Sequence, residues 1–314
     1  MHVKESSISG TFTACCPGSC GELLQGEIAG RSFHVTAPVS AYTWATASWG
    51  VVGADNSLTA RPKTRQALAE LFDHLRLPAK LLADIDLCVS GDLRVGKGMA
   101  SSTADIVAAC AAVAGLVGVR LDCDELAAIA LRVEPTDGVL YPGVVAFDHR
   151  GGGFLERLGA MPPLDVVVLD TGGSVDTVAF NNSVVAYSER ESVELAAALD
   201  LLRQGIAKQD PRMLGEACTI SARLNQLRLP KPQLEDVIKV ARKHGAYGVT
   251  VAHSGTLIGV ICDPANTKIT GSFNRSFASL TRLGRLSLIN GGFIGFESSR
   301  AGYNRSNVMV TGKR

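Results

Sequence analysis

The residue types able to do chemistry in this chain of 314 residues gather first in one run, Val95-Gly96-Lys97-Gly98-Met99-Ala100-Ser101-Ser102-Thr103-Ala104-Asp105. Two glycines, two serines and a threonine crowd a short loop, and the alanine-rich run from Ile106 to Val117 that follows reads as a buried helix. A loop that opens a helix leaves several backbone N–H groups aimed at one place, backed by about half a unit of positive charge. Such a place favours phosphate. Gly91 to Lys97 has the spacing of a Walker-type loop, yet Gly98 stands where the metal-binding hydroxyl belongs. The dinucleotide fingerprint begins at Gly96-Lys97-Gly98 and stops at Ser101, where a third glycine is required. Neither of those folds is supported.

Three other segments hold reactive or polar groups in turns. Pro17-Gly18-Ser19-Cys20-Gly21-Glu22-Leu23-Leu24-Gln25-Gly26 keeps the backbone tight and approachable, and by spacing alone it is a hairpin or bulge between strands. Glu134-Pro135-Thr136-Asp137-Gly138 puts two carboxylates in a turn, where an aspartate ordinarily bonds its own backbone. Ser254-Gly255 joins two strand-like runs as a hairpin would, and His253 beside it is expected to be exposed unless it touches a ligand.

A Gly-x-Gly-x-x-Ser-Ser loop leading into a small-residue helix, with a Pro-Gly segment before it and Gly245-Ala246-Tyr247-Gly248 and Ser254-Gly255 after it, resembles the GHMP kinase superfamily, named for galactokinase, homoserine, mevalonate and phosphomevalonate kinases. The wording from Gly96 to Asp105 is most similar to the L-threonine kinases of cobalamin synthesis. In the superfamily a small or apolar residue ordinarily stands at the position of Lys97 and glycine at that of Ala100, so these departures narrow the resemblance.

The resemblance implies an α+β, two-domain GHMP kinase fold. An N-terminal mixed domain would span residues 1–160, a C-terminal ferredoxin-like α/β domain residues 161–314, and the site would lie in the cleft between them. The implied activity is ATP-dependent phosphorylation of the side-chain hydroxyl of L-threonine. Another small alcohol such as homoserine, or a non-catalytic binding protein of the same fold, is the alternative. ATP would be held by Val95, Gly96, Lys97, Gly98, Met99, Ala100, Ser101, Ser102, Ser254 and Gly255, and Mg²⁺ by Ser101, Ser102 and Glu134. Gly21, Glu22, Gln25 and Asp137 would receive the acceptor, with Glu22 pairing its ammonium. Asp137 would orient or deprotonate the acceptor hydroxyl, and Lys97 either neutralises charge on the transferring phosphate or is simply solvated.

Composition narrows the partners. Lysine and arginine number 31 against 30 aspartates and glutamates, without blocks of like charge, which argues against nucleic acid or an anionic membrane as the main partner. No run approaches the roughly 20 apolar residues needed to span a bilayer. The eight cysteines sit in a large chain with no secretory segment, several of them (Cys88, Cys110, Cys218, Cys262) in apolar runs. They are expected to be reduced, buried thiols of a cytoplasmic protein. Cys15, Cys16 and Cys20 lack metal-ligand spacing, with no histidine cluster beside them.

The elements that must position these groups follow from periodicity and punctuation. A strand is expected over residues 8–16 and two more from Ser32 to Val52 with a turn near Pro38. An amphipathic helix runs from Lys63 to Leu77, and the strand Ile85 to Ser90 feeds the glycine loop. A second helix starts at Asp122, where Glu125 completes a capping box, and ends near Val133 before Pro135. Val144 to Asp148 is strand-like, and a domain boundary falls at Met161-Pro162-Pro163. Beyond it come a strand from Leu164 to Asp170, helices Glu189 to Arg203, Pro211 to Leu227 and Gln233 to Lys243, a strand Leu257 to Cys262, a helix Thr267 to Leu283 and a strand Leu286 to Ile289. The end from Ser298 is polar.

Overall fold

Two long antiparallel strands carry the molecule: β1 (Thr11–Ile28) and β2 (Arg31–Trp49), joined by a turn in which Ala29 and Gly30 both take positive φ. The computed structural model describes residues 10–50, 61–153, 155–175, 180, 185–277 and 280–298. The polar segment expected after Ser298 lies outside the described residues. Strand β1 does not stop at Pro17. It continues through the Pro-Gly segment, with register shifts between Pro17 and Gly18, Ser19 and Glu22, and Glu22 and Leu24. Of the hairpin and the bulge, the bulge is what forms. Nor does Pro38 break β2, because it sits opposite Ser19 at the same irregularity, where the missing ladder donor is tolerated.

Around the first half of β1 and the second half of β2 pack α1 (Pro62–His74), β3 (Ile85–Gly91), α2 (Ser101–Leu116) and α3 (Cys123–Leu131). Helix α2 is apolar on every side and only its first turn carries polar groups, so it runs through the core rather than over it. Its small side chains permit close approach: a Cβ on Gly115 would stand 2.4 Å from the Phe12 ring. The capping box at Asp122 and Glu125 forms with both reciprocal bonds at 2.9 Å. Strand β3 alternates, turning Ile85, Leu87 and Val89 inward, so Cys88 is exposed and the expectation that it is buried fails.

Then follow β4 (Val144–Phe147) and β5 (Leu155–Gly159), which continue the sheet beyond β2. The remaining elements are β6 (Leu164–Asp170), α4 (Glu189–Lys208), α5 (Pro211–Leu224), α6 (Leu234–Lys243), β7 (Gly248–Val251), β8 (Leu257–Cys262), α7 (Ile269–Ser276), β9 (Thr281–Leu288) and β10 (Ile294–Ser298). The order β7-β8-β6-β9, antiparallel throughout with helices between, is the expected ferredoxin-like arrangement. Strand β6 reads as an apolar run because both its faces are covered: Val166 and Val168 enter one core, Val167 and Leu169 the other. The helix expected to reach Leu283 ends at Ser276, since residues 281–288 extend along β6 as its antiparallel partner. Bridging pairs Glu22 with Val251 and Val39 with Leu288 join this sheet to β1 and β2.

Candidate active site

The three glycine segments meet. Ser19 donates its amide to the Met99 carbonyl at 3.0 Å and its hydroxyl to the Gly98 carbonyl at 3.4 Å, while the Thr256 amide donates to the Lys97 carbonyl at 3.1 Å. The approach is too close for side chains. A Cβ on Gly18 would stand 2.7 Å from the Met99 oxygen, one on Gly98 2.3 Å from the Ala252 Cβ, and one on Gly255 2.2 Å from the Lys97 oxygen. With those carbonyls engaged by neighbours, the amides at the head of α2, which no intrahelical carbonyl reaches, are left for the cavity. Positive φ at Gly96, Gly98 and Ala100, every second residue, is the alternation from which anion-binding nests are built. Ala100 adopts it with a side chain, at a cost of about 1–2 kcal/mol.

Below the loop lies a cavity of about 540 Å³. Among the residues singled out from sequence, Val95, Gly96, Gly98, Met99, Ala100, Ser101, Ser102, Ser254, Glu22, Glu134 and Asp137 line it. Gly21, Gln25, Lys97 and Gly255 stand behind that wall. Gly21, at φ +69, lets β1 touch the Val251 backbone, and Gly255 seats the loop. The Lys97 ammonium turns away from the cavity to Asp170 Oδ2 at 2.7 Å and the Gly173 carbonyl at 2.5 Å. It is therefore paired rather than simply solvated, and it ties the phosphate loop to the end of β6. Burial opposes ionisation of Asp170, but the bonds from Lys97, Thr256 and the Gly172 amide outweigh it and hold its carboxyl below the ordinary range.

Glu134 and Asp137 do not cap their own turn. Asp137 precedes a short 3₁₀ turn without bonding it; its Oδ2 lies 3.5 Å from the Thr103 hydroxyl, and its amide donates to that hydroxyl at 3.2 Å. Burial raises the Asp137 carboxyl to about 6. Asp148, which was not singled out, does bond its own turn, through the amides of Arg150, Gly151 and Gly153. Glu134 accepts from the Ser102 hydroxyl and the Lys63 ammonium. A carboxylate and a hydroxyl beside a nest, with a cation already drawn to the carboxylate, are the hard oxygen donors that suit Mg²⁺.

The sequence reading missed several wall residues. Arg61 and Lys63 arrive from the head of α1, Arg61 bonding Asp105 at 2.9 Å, and Asp105 also accepts from Thr43 at 2.8 Å. Charged residues at a helix start were the available signal. His34, His149 and His253 gather in space although they are far apart in sequence, and no spacing rule could have joined them. His253 is buried, against the expectation that it is exposed. Burial, aided by the Arg150 charge, drops His34 to about 3.

Comparison with known proteins agrees with this geometry. The pattern described as GHMP kinases N terminal domain matches residues 62–142, and that of GHMP kinases C terminal matches residues 200–275. An L-threonine kinase of Citrobacter freundii is 35% identical over 252 residues, covering 80% of this chain and 86% of the relative. Homoserine kinase from Cytophaga hutchinsonii superposes with a TM-score of 0.69 at 16% identity, over 94% of this chain and all of that one. MDDEF in complex with MVAPP, AMPPCP and magnesium superposes with a TM-score of 0.65 at 14% identity, over 92% of this chain and 99% of that one. With both GHMP kinase patterns matched and more than a third of positions identical over most of an L-threonine kinase, the chain belongs to the GHMP kinase family.

Proposed function

We propose that this chain transfers the γ-phosphoryl group of ATP to the side-chain hydroxyl of L-threonine, giving L-threonine O-3-phosphate and ADP. The observation that carries the reading is that Asp137 and the open amides of α2 face one cavity, so a hydroxyl and a triphosphate can be held together there. The likeness to an L-threonine kinase over most of the chain supports the choice of acceptor.

The triphosphate is received by the nest from Gly96 to Ser102, where main-chain donors need no reorganisation as charge develops. Ser102 and Glu134, with Ser101 beside them, would hold Mg²⁺, which spreads the phosphate charge when bound. Asp137 accepts the proton of the acceptor hydroxyl as its oxygen bonds to phosphorus and the bond to the ADP oxygen breaks. A carboxyl raised to about 6 is a stronger base than an ordinary aspartate while still ionised at neutral pH. Lys97 acts by holding the loop against Asp170 rather than by touching phosphate. We place the domain boundary at residues 160–161, between β5 and β6, which do not pair with each other. The same resemblance supports a role for the product in cobalamin synthesis, and a cytoplasmic location; among the described residues no helix is long and apolar enough to cross a membrane.

A coupled assay with ATP and Mg²⁺ tests the reading on L-threonine, L-serine and L-homoserine. The expected outcome is the highest kcat/KM for L-threonine and no turnover without the metal. Glu134→Gln should raise the Mg²⁺ concentration needed for half-maximal rate by tenfold or more, on the order of the 10-fold to 100-fold seen for lost metal contacts. Homoserine outrunning threonine refutes the acceptor, and nucleotide binding without transfer to any acceptor refutes the kinase.

A further inference from the structure

On the wall shared with Asp137, buried polar atoms stand without partners. Oε2 of Glu22, Nε2 of His253 and both ring nitrogens of His34 make no hydrogen bond, and all three side chains line the cavity. A buried polar group that nothing ever meets destabilises the fold. Their chemistry is one-sided. The Gln25 amide fixes it for His253: Gln25 Nε2 donates to the Val251 carbonyl at 3.2 Å, so its Oε1 must face His253 Nδ1, at 2.7 Å. A carbonyl oxygen can only accept, so Nδ1 carries the proton. The ring is held neutral by burial and by the neighbouring His34 and His149, which leaves Nε2 as a bare lone pair.

Glu22 is likewise an acceptor once ionised; it is 5% exposed, and among the described residues it forms no ion pair. Burial and the Asp137 charge push its carboxyl far up, so ionised Glu22 is stabilised only if a positive group enters beside it. The cations that line the cavity are committed elsewhere, Arg61 to Asp105 and Lys63 to Glu134. Lys231, behind the wall, bonds the Ala252 carbonyl at 3.2 Å.

We propose that Glu22 and the Nε2 lone pair of His253, with His34 closing the wall toward Asp137, form a subsite for a primary ammonium group, so that the acceptor must be an amino alcohol. The inference rests on the kinase reading and adds the determinant of its substrate class. Gln25 is then a positioning residue, acting through the His253 tautomer. An acidic group and an imidazole lone pair can each accept one N–H of an ammonium, and the hydroxyl, on the next carbon, reaches Asp137. A metal ion is the competing occupant of three histidines. The geometry disfavours it: the His34 and His149 rings are stacked at 3.6 Å with 8° between their planes, so their lone pairs lie in separate, nearly parallel planes and do not both aim at one ion.

The test compares acceptors that differ in one end only: L-threonine, (R)-1-aminopropan-2-ol, which keeps the ammonium, and (R)-3-hydroxybutyrate, which keeps the carboxylate. Turnover is measured with ATP, and Kd by calorimetry with a non-hydrolysable ATP analogue. A site with buried groups dedicated to the amine should reject 3-hydroxybutyrate by on the order of 10⁴-fold in kcat/KM relative to L-threonine, with the amino alcohol far better than the acid. Glu22→Gln and, separately, His253→Ala should shrink that ratio by about 10²-fold while leaving the KM for ATP in place. Gln25→Leu should raise the KM for amine-bearing acceptors more than it lowers kcat. Equal use of 3-hydroxybutyrate by the unaltered protein overturns the proposal, as does an unchanged ratio in either folded variant. Tight binding of one equivalent of Zn²⁺ that competes with L-threonine overturns it in favour of a metal. If the acceptors bind without turnover, the kinase reading fails, and the order of their Kd values still decides the ammonium subsite.

Discussion

Replacing Asp137 by asparagine separates function from stability in opposite directions. The side chain is 24% exposed and its carboxyl is raised from 3.8 to about 6 by burial, so the ionised form is disfavoured in the folded protein. At about 1.4 kcal/mol per pH unit, ionised Asp137 costs the fold about 3 kcal/mol at pH 8, where both folded and unfolded chains carry the charge. Below about pH 4 the carboxyl is protonated in both states and the cost disappears. The cost grows as pH rises from about 4 to about 6, because there the folded state binds the extra proton. Asparagine keeps an acceptor for Thr103 and removes the charge. Spread over 314 residues at about 2.1 cal/mol/K each, 3 kcal/mol corresponds to a Tm about 4–5 °C higher at pH 8 and unchanged near pH 4. Activity should move the other way, with kcat falling about 10²-fold to 10⁴-fold. Calorimetry at the two pH values and the coupled kinase assay read the two effects. A variant that turns over L-threonine normally refutes Asp137 as base, and one that melts lower at pH 8 refutes the account of a desolvated, uncompensated charge.

For the unaltered protein, kcat should fall below about pH 6 as Asp137 takes up its proton, and a rate flat down to pH 4.5 would contradict the assignment. Gly98→Ala places a methyl 2.3 Å from the Ala252 Cβ at a φ of +86, so the loop must move; a loss of about 2–4 kcal/mol in unfolding free energy and a raised KM for ATP are expected, measured by urea unfolding and steady-state kinetics. Lys97→Met leaves Asp170, whose side chain is 6% exposed, without its cation, and should cost about 3–5 kcal/mol. Its kinetic mark should be a higher KM for ATP with kcat largely kept; a collapse of kcat alone would instead place Lys97 on the transferring phosphate.

Much of the phosphate site was legible because its parts are local. A strand, a glycine-rich loop and an apolar helix succeed one another within residues 85–116, and each announces itself by period and punctuation. The capping box at Asp122 and the strand from Leu164 to Asp170 are legible for the same reason, since the groups that satisfy them lie within a few residues or within a covered sheet. Gly18, Gly98 and Gly255 mark tight places in the sequence. That they are tight against one another, through the Met99 and Lys97 carbonyls, depends on three separate strands and loops converging.

Local pattern by itself misjudged β1 and β2, where Pro17, opposite Tyr42, and Pro38, opposite Ser19, border one irregular stretch instead of ending two strands. It also misjudged Lys97 and His253, whose partners lie 73 and 228 positions away at Asp170 and Gln25. The amino-acid sequence alone determined the helix that gathers the phosphate amides, the apolar run that lets β6 be covered on both sides and the family to which the motifs point. The tertiary structure decided which polar groups lose water together: Glu22, His34, Asp137 and His253 are ordinary side chains until folding buries them on one wall. Burial and mutual charge act through space, so the basicity of Asp137 and the open acceptors beside it exist only in the assembled protein.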